Sequence, residues 1–213
     1  MVKISVCVMA SPSRAHIADK LYRKLTQMDF YETGLVFDDG SGEWQTGVNS
    51  LRCHTDSDWH IVIQDDAIIS QNFYRNALKA IENIPDPTLL SFYTGTVKPF
   101  PSAVKKAIEK AGSINASYLS FGTLNWGVGI AIPTDDIEAV LDTVKNSRLP
   151  YDERIGRYYL LNNKKVYYTY PSIVDHNYKI DSVVGKYKGA EPRKAHRYEP
   201  EIIFGWNKRV VEI

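Results

Sequence analysis

Trp59-His60-Ile61-Val62-Ile63-Gln64-Asp65-Asp66-Ala67 is the stretch on which the fold turns. His60-Ile61-Val62-Ile63 is short, β-branched and apolar at both alternating positions, the pattern of a strand covered on both faces. It stops abruptly at Gln64-Asp65-Asp66. Working outward, residues 2–9 have the same character and end in Ala10-Ser11-Pro12-Ser13-Arg14. Gly34-Leu35-Val36-Phe37 is a second short strand and ends in the loop Asp38-Asp39-Gly40-Ser41-Gly42. Helical spacing falls between these strands. Ile17, Leu21 and Leu25 share one face of a helix over 15–27 that Ser11 or Ser13 can cap. A second helix is expected from about residue 47 to 55, and a third over 72–81 with Phe73, Leu78 and Ile81 inward. Strand–helix alternation of this kind predicts an α/β fold with a mostly parallel central sheet and helices on both faces.

The second half is less regular. Residues 89–93, 117–121, 126–132 and 165–170 read as strands, the middle two on either side of a Gly122-Thr123 turn. Helices are expected over 102–111, from Thr134 through Val144, and over 152–161. Polar turns and a basic tail follow Asp175. The chain has 213 residues, 44% hydrophobic and 24% charged, with a net charge of +1; that suits one soluble domain with a sizeable core. Disorder is excluded by the apolar content, and no apolar run approaches a membrane span. The near-neutral charge and the lack of a basic–aromatic stripe leave a nucleic-acid-binding role with little support. The apolar N-terminal run alternates like a strand and is followed at once by Pro12 and Arg14, so it reads as structure rather than a signal peptide. Cys7 and Cys53 both lie in apolar-looking elements, so a disulfide framework is not expected and a cytoplasmic location is.

In an open α/β sheet, ligands bind beyond the carboxyl ends of the strands. The three N-terminal strands therefore bring Ser11 and Arg14, Asp38 and Asp39, and Asp65 and Asp66 to one crevice. Adjacent carboxylates repel unless a cation neutralises them, and Mg²⁺ or Mn²⁺ takes such oxygens while keeping substrate phosphates as further ligands. Asp-Asp-Gly is also a favourable turn sequence, and Asp66 can cap the helix that follows.

The segment from Trp59 to Ala67 resembles the acidic signature at the end of a central strand in GT-A glycosyltransferases, including the lipopolysaccharide-type family 25 enzymes. Val36-Phe37-Asp38-Asp39-Gly40-Ser41 is similar to the second-strand loop of family 2 enzymes. Pro171-Ser172-Ile173-Val174-Asp175-His176, with Asp181-Ser182, resembles a C-terminal segment of family 25-like enzymes. The whole order of blocks resembles that of small bacterial and phage glycosyltransferases. The resemblance implies a single Rossmann-like GT-A domain, with a nucleotide-binding half (1–95), an acceptor and sugar half (96–185) and a basic tail (186–213). It implies a sugar moved from a nucleotide-sugar, UDP-linked by expectation, with Mn²⁺ or Mg²⁺ as cofactor. Asp66 matches the metal-binding carboxylate, and His176 the histidine that completes the metal shell. Gln64 replaces the first acidic residue of the signature. Asp65, Asp38 and Asp39 face sugar, ribose or base; Ala10, Ser11 and Arg14 lie in the first-strand loop beside the nucleotide. Trp44, Thr46, Trp126 and Lys186 complete the donor-side candidates, and Arg52 is the candidate for an arginine found before the signature.

Pro150-Tyr151-Asp152-Glu153 resembles the acidic element on the acceptor side of many family 2 enzymes. Asp152 is the first choice for the base of an inverting reaction and Glu153 the second. Acidic residues are also favoured in the first turn of any helix, where the dipole is expected to keep Asp152 ionised. The acceptor is open between a glycan, a modified DNA base and a protein. Two other readings compete: a nucleotidyltransferase, which would normally show a Gly-rich basic loop after the first strand, and a non-catalytic nucleotide- or carbohydrate-binding module, which the missing acidic residue at Gln64 allows.

Overall fold

β1 (Ile4–Ala10) is buried at every position and lies between β2 (Glu32–Phe37) and β3 (Trp59–Gln64), parallel to both. The computed structural model describes residues 2–96, 100–180 and 193–213. Burial on both faces of β1 requires helices on both sides. α1 (Ala15–Leu25) and α2 (Glu43–Leu51) both pack on this strand. α1 contributes Ala18, Leu21 and Leu25, and α2 contributes Val48 and Leu51; burying a leucine is worth roughly 1.5–3 kcal/mol. The polar residues of this layer are paired. Ser5 Oγ lies 2.7 Å from both Ser57 Oγ and His60 Nδ1, and His60 Nε2 lies 2.7 Å from the Ser50 carbonyl.

β3 leads through Asp65 and Asp66 into β4 (Ala67–Ile69) and α3 (Phe73–Asn83). The chain continues through β5 (Leu90–Ser91), α4 (Pro101–Ile114), β6 (Tyr118–Phe121), β7 (Gly129–Pro133), α5 (Thr134–Val144) and α6 (Tyr151–Leu161). It ends in β8 (Val166–Thr169), β9 (Val174–His176) and β10 (Val210–Glu212). Eight of the strands form one sheet in the order β10-β6-β8-β5-β7-β3-β1-β2, and β4 pairs with β9. β7 is antiparallel to β3 and β5, and β6 is antiparallel to β8 with β10 parallel to it. β2, β1, β3, β5 and β8 thus share one direction. The fold is mixed α/β, one large central sheet flanked by helices.

Several boundaries differ from the sequence expectation. β6 and β7 do not flank a turn as neighbours: β8 and β5 lie between them. β7 carries the buried run Gly129–Ile132 and takes a central place. The intervening loop dives inward on Leu124 and Trp126, 1% and 8% exposed. α2 begins at Glu43, earlier than expected, directly after Gly42 in the left-handed region at φ +91°. Thr134 is the first residue of α5, and its hydroxyl donates to the Ser57 carbonyl at 2.6 Å. Residues 193–213 return to the body of the protein: Ala195 bridges to Gly95, Tyr198 to Ser172, and β10 joins the sheet edge. Among the described residues, no helix is long and apolar enough to cross a membrane.

Candidate functional site

Register decides where the acidic residues go. Ala10 pairs with Phe37, and Met9 with Gln64, so β1, β2 and β3 end level. One residue further, the Asp65 amide donates to the Met9 carbonyl at 3.0 Å and the Asp38 amide to the Ala10 carbonyl at 2.9 Å. Asp65, 1% exposed, turns its carboxylate to the first-strand loop: Oδ2 accepts the Ser11 amide at 2.8 Å and Arg14 Nε at 3.2 Å. Arg14 Nη2 reaches Asp65 Oδ1 at 2.7 Å, and Nη1 reaches Asp66 Oδ2 at 2.9 Å. The short helical turn Pro12–Arg14 holds this guanidinium over both carboxylates. Burial raises the Asp65 carboxyl above its ordinary range, although the Ser11 amide and Arg14 oppose it. For Asp66, burial also works upward, but His176 and Arg14 together outweigh it and hold the carboxyl below its ordinary range. Asp66 is thereby the more firmly ionised of the two.

His176 arrives from more than a hundred residues downstream through the small β4–β9 sheet, in which Ala67 faces His176. Its Nε2 lies 3.4 Å from Asp66 Oδ2. The Asn177 amide donates to the Asp66 carbonyl at 2.8 Å. Asp175 Oδ1 accepts the His176 amide at 2.8 Å and the Ala195 amide at 2.6 Å, tying β9 to the C-terminal segment. Two polar atoms are left over: Asp66 Oδ1 and His176 Nδ1 are buried with no hydrogen-bond partner. A buried ionised oxygen without a partner is costly. Among the described residues, no three His, Cys, Asp or Glu side chains form a metal-holding group. Asp66 and His176 are a two-donor set, which fits a hard cation that draws its other ligands from substrate phosphate and water.

The second-strand loop is shaped by its own aspartates. Asp38 Oδ1 accepts the amides of Gly40 and Gly42, each at 3.0 Å. Asp39 Oδ1 accepts the Ser41 amide at 3.1 Å and the Ser41 hydroxyl at 2.5 Å, and these bonds hold the exposed Asp39 carboxyl low. Both carboxylates therefore carry turn chemistry. Thr46 is buried and donates to the Gly42 carbonyl at 2.9 Å. Trp44, half-buried, stacks under the Arg154 guanidinium at 4.5 Å from the ring centre.

Arg154 comes from the first turn of α6, which also carries Asp152 and Glu153. Asp152 packs on the loop that leads into β7: a Cβ on Gly127 would stand 3.0 Å from Asp152 Cβ, and the next carbonyl along that loop, Val128, accepts the Gln64 amide at 3.0 Å. Its Oδ1 accepts the Glu153 amide at 2.9 Å. The helix dipole does not dominate its titration as expected. Burial does, and it raises the carboxyl, although the Glu153 amide opposes the rise. Glu43, at the start of α2, is raised by burial and then by the Asp152 charge. Glu153 itself is exposed.

The remaining candidates are dispersed. Trp126 sits edge-on to Tyr93, Phe121 and Tyr168 in an aromatic cluster. Arg52, at the end of α2, forms an exposed pair with Glu138 of α5, both bonds at 2.7 Å, so Arg14 is the arginine that meets the acidic pair. Lys186, Asp181 and Ser182 lie outside the described residues. Two features went beyond the sequence reading: the bridging of both aspartates by Arg14, and the approach of Asp152 and Arg154 to Glu43. Both depend on strand register and helix docking.

No protein-family model matches the chain, and no curated protein matches it in sequence. Among solved structures it is similar to one described as "crystal structure of a glycosyltransferase involved in the glycosylation of the major capsid of PBCV-1". The identity is 8%, over 76% of this chain and 78% of that chain, with a TM-score of 0.47.

Proposed function

We propose that this chain is a glycosyltransferase that moves a sugar from a nucleotide-activated donor to an acceptor hydroxyl. The observation that carries this reading is the convergence of Ser11, Arg14, Asp65, Asp66 and His176 at the level ends of β1 and β3. Departure of a nucleoside diphosphate builds negative charge at its phosphates, and fixed positive groups there lower the barrier. Arg14 is such a group, held rigidly by two buried carboxylates. One guanidinium set against two carboxylates still leaves Asp66 Oδ1 without a partner. Asp66 and His176 are the residues that would hold Mg²⁺ or Mn²⁺; when bound, the ion supplies Lewis-acid stabilisation of the diphosphate. Gln64, neutral, contributes no charge to that set.

Asp152 is the residue for the acceptor side. A carboxylate raised by burial is a better proton acceptor near neutral pH than an ordinary one. It stands beside Gly127, whose neighbour Val128 accepts the Gln64 amide. In an inverting reaction it takes the proton of the acceptor hydroxyl as that oxygen attacks the anomeric carbon, while the donor's diphosphate leaves from the opposite face. UDP is the nucleotide tested first.

The test is incubation with a panel of nucleotide-sugars and Mn²⁺, measuring release of nucleoside diphosphate in wild type and Asp66→Asn. Release by wild type alone supports the proposal. Release of pyrophosphate instead points to nucleotidyl transfer, and binding without any turnover points to a non-catalytic module; either outcome overturns it.

A further inference from the structure

β1 carries a second reactive feature at its middle, three residues before the end that meets Asp65 and Asp66. In the β1–β2 register Cys7 faces Gly34. Cys53 follows α2, its amide donating to the Ser50 carbonyl at 3.2 Å, and its side chain lies over Gly34 of β2. The sulfurs of Cys7 and Cys53 both lie within 3.5 Å of the place a Cβ on residue 34 would occupy. Only glycine leaves that space open, so Gly34 is what lets two cysteines far apart in sequence meet.

The two thiols are unequal. Cys7 is fully buried and Cys53 half-buried, and both are free. The Cys7 thiol donates its hydrogen bond to the Val8 carbonyl at 3.7 Å, and the closeness of the two sulfurs raises Cys7 and brings Cys53 down to about 7. Burial and the Glu32 carboxylate oppose the fall at Cys53. This is the arrangement of an attacking thiol and a resolving thiol: one reachable and ionisable, the other protected behind it.

We propose that Cys7 and Cys53 form a redox-active dithiol that closes to an intramolecular disulfide on exchange with a small-molecule disulfide such as oxidised glutathione. The Cys53 thiolate attacks one sulfur of the reagent, forming a mixed disulfide and releasing one thiolate. Cys7 then loses its proton and attacks the Cys53 sulfur, expelling the second thiolate. The protein is oxidised by two electrons and the reagent is reduced to two thiols. The bond ties β1, which leads directly into Ser11 and Arg14, to the segment after α2.

The experiment is incubation of the purified chain with oxidised glutathione, followed by alkylation and intact-mass and peptide mass spectrometry. Wild type should lose the mass of two hydrogen atoms, with a Cys7–Cys53 cross-linked peptide and no lasting glutathione adduct. Cys7→Ala should stop at a stable glutathione adduct on Cys53, and Cys53→Ser should leave Cys7 unreacted. Should Cys7→Ala fail to fold, wild type and Cys53→Ser still decide. A permanent adduct on wild-type Cys53, or two freely alkylated thiols after incubation, overturns the proposal.

Discussion

Asp66 Oδ2 and His176 Nε2 stand 3.4 Å apart because Ala67 and His176 face each other across the β4–β9 pair. Two three-residue strands thereby create a donor pair that neither strand holds alone. If this pair holds a divalent cation with the donor's phosphates, losing either member should weaken nucleoside-diphosphate binding only when the cation is present. His176→Ala and Asp66→Asn are both expected to cost more than the roughly 10–100-fold of losing an outer-shell partner. Isothermal titration with UDP, with and without Mn²⁺, checks this. Equal affinity of wild type and variants in Mn²⁺ would remove both residues from the metal.

Arg14 is expected to be as important for stability as for chemistry. Asp65 is 1% exposed and Asp66 5% exposed, and the guanidinium is the only cationic side chain bonded to Asp65 among the described residues. Removing one partner of a buried pair leaves the other charge uncompensated, at about 3–5 kcal/mol. Arg14→Met should show a loss of that order in urea denaturation. Arg14→Lys should lose less stability, because it keeps the charge but not the bidentate geometry. A methionine variant as stable as wild type would contradict this account.

His60 gives the fold a pH dependence of its own. Burial lowers its pKa from 6.5 to about 4 in the folded chain, and its two ring nitrogens are held by Ser5 and the Ser50 carbonyl. Between those values the unfolded chain binds the extra proton and the folded chain does not. Stability is therefore full above pH 6.5 and falls as the pH drops toward 4. The loss is on the order of 3 kcal/mol. Denaturation midpoints across that range should fall more steeply for wild type than for His60→Gln, even though the variant is less stable at neutral pH. Parallel slopes would show that His60 charges without cost.

Asp152→Asn should bind a nucleotide-sugar normally and transfer it on the order of 10²–10⁴-fold more slowly. Glu153→Gln should be mild, since Glu153 is exposed. Because burial raises Asp152, the acidic limb of the wild-type rate profile should lie above the ordinary carboxylate range, and the asparagine variant should lack that limb. A product with retained anomeric configuration would end the base assignment for both residues. A larger defect in Glu153→Gln than in Asp152→Asn would transfer it to Glu153.

What the sequence by itself determined is local. The apolar stretches at 2–9 and 60–63 read as strands, and both fall on buried strands of the sheet, while the helical spacing of Leu21 and Leu25 put α1 on them. Abrupt polar stops marked the strand ends, and with parallel strands those ends had to share one edge. Asp65 and Asp66 were legible for that reason. The tertiary structure alone decided the rest. β4 and β9 are too short to show periodicity, so the approach of His176 to Asp66 depends on a pairing that no local pattern encodes. The central place of β7, the return of the C-terminal segment to the sheet and the bridging of both aspartates by Arg14 are likewise contacts between distant segments. Burial set the titration of Asp152, not the helix dipole visible in its sequence position. Desolvation depends on what packs around a group, and that is known only once the chain has folded.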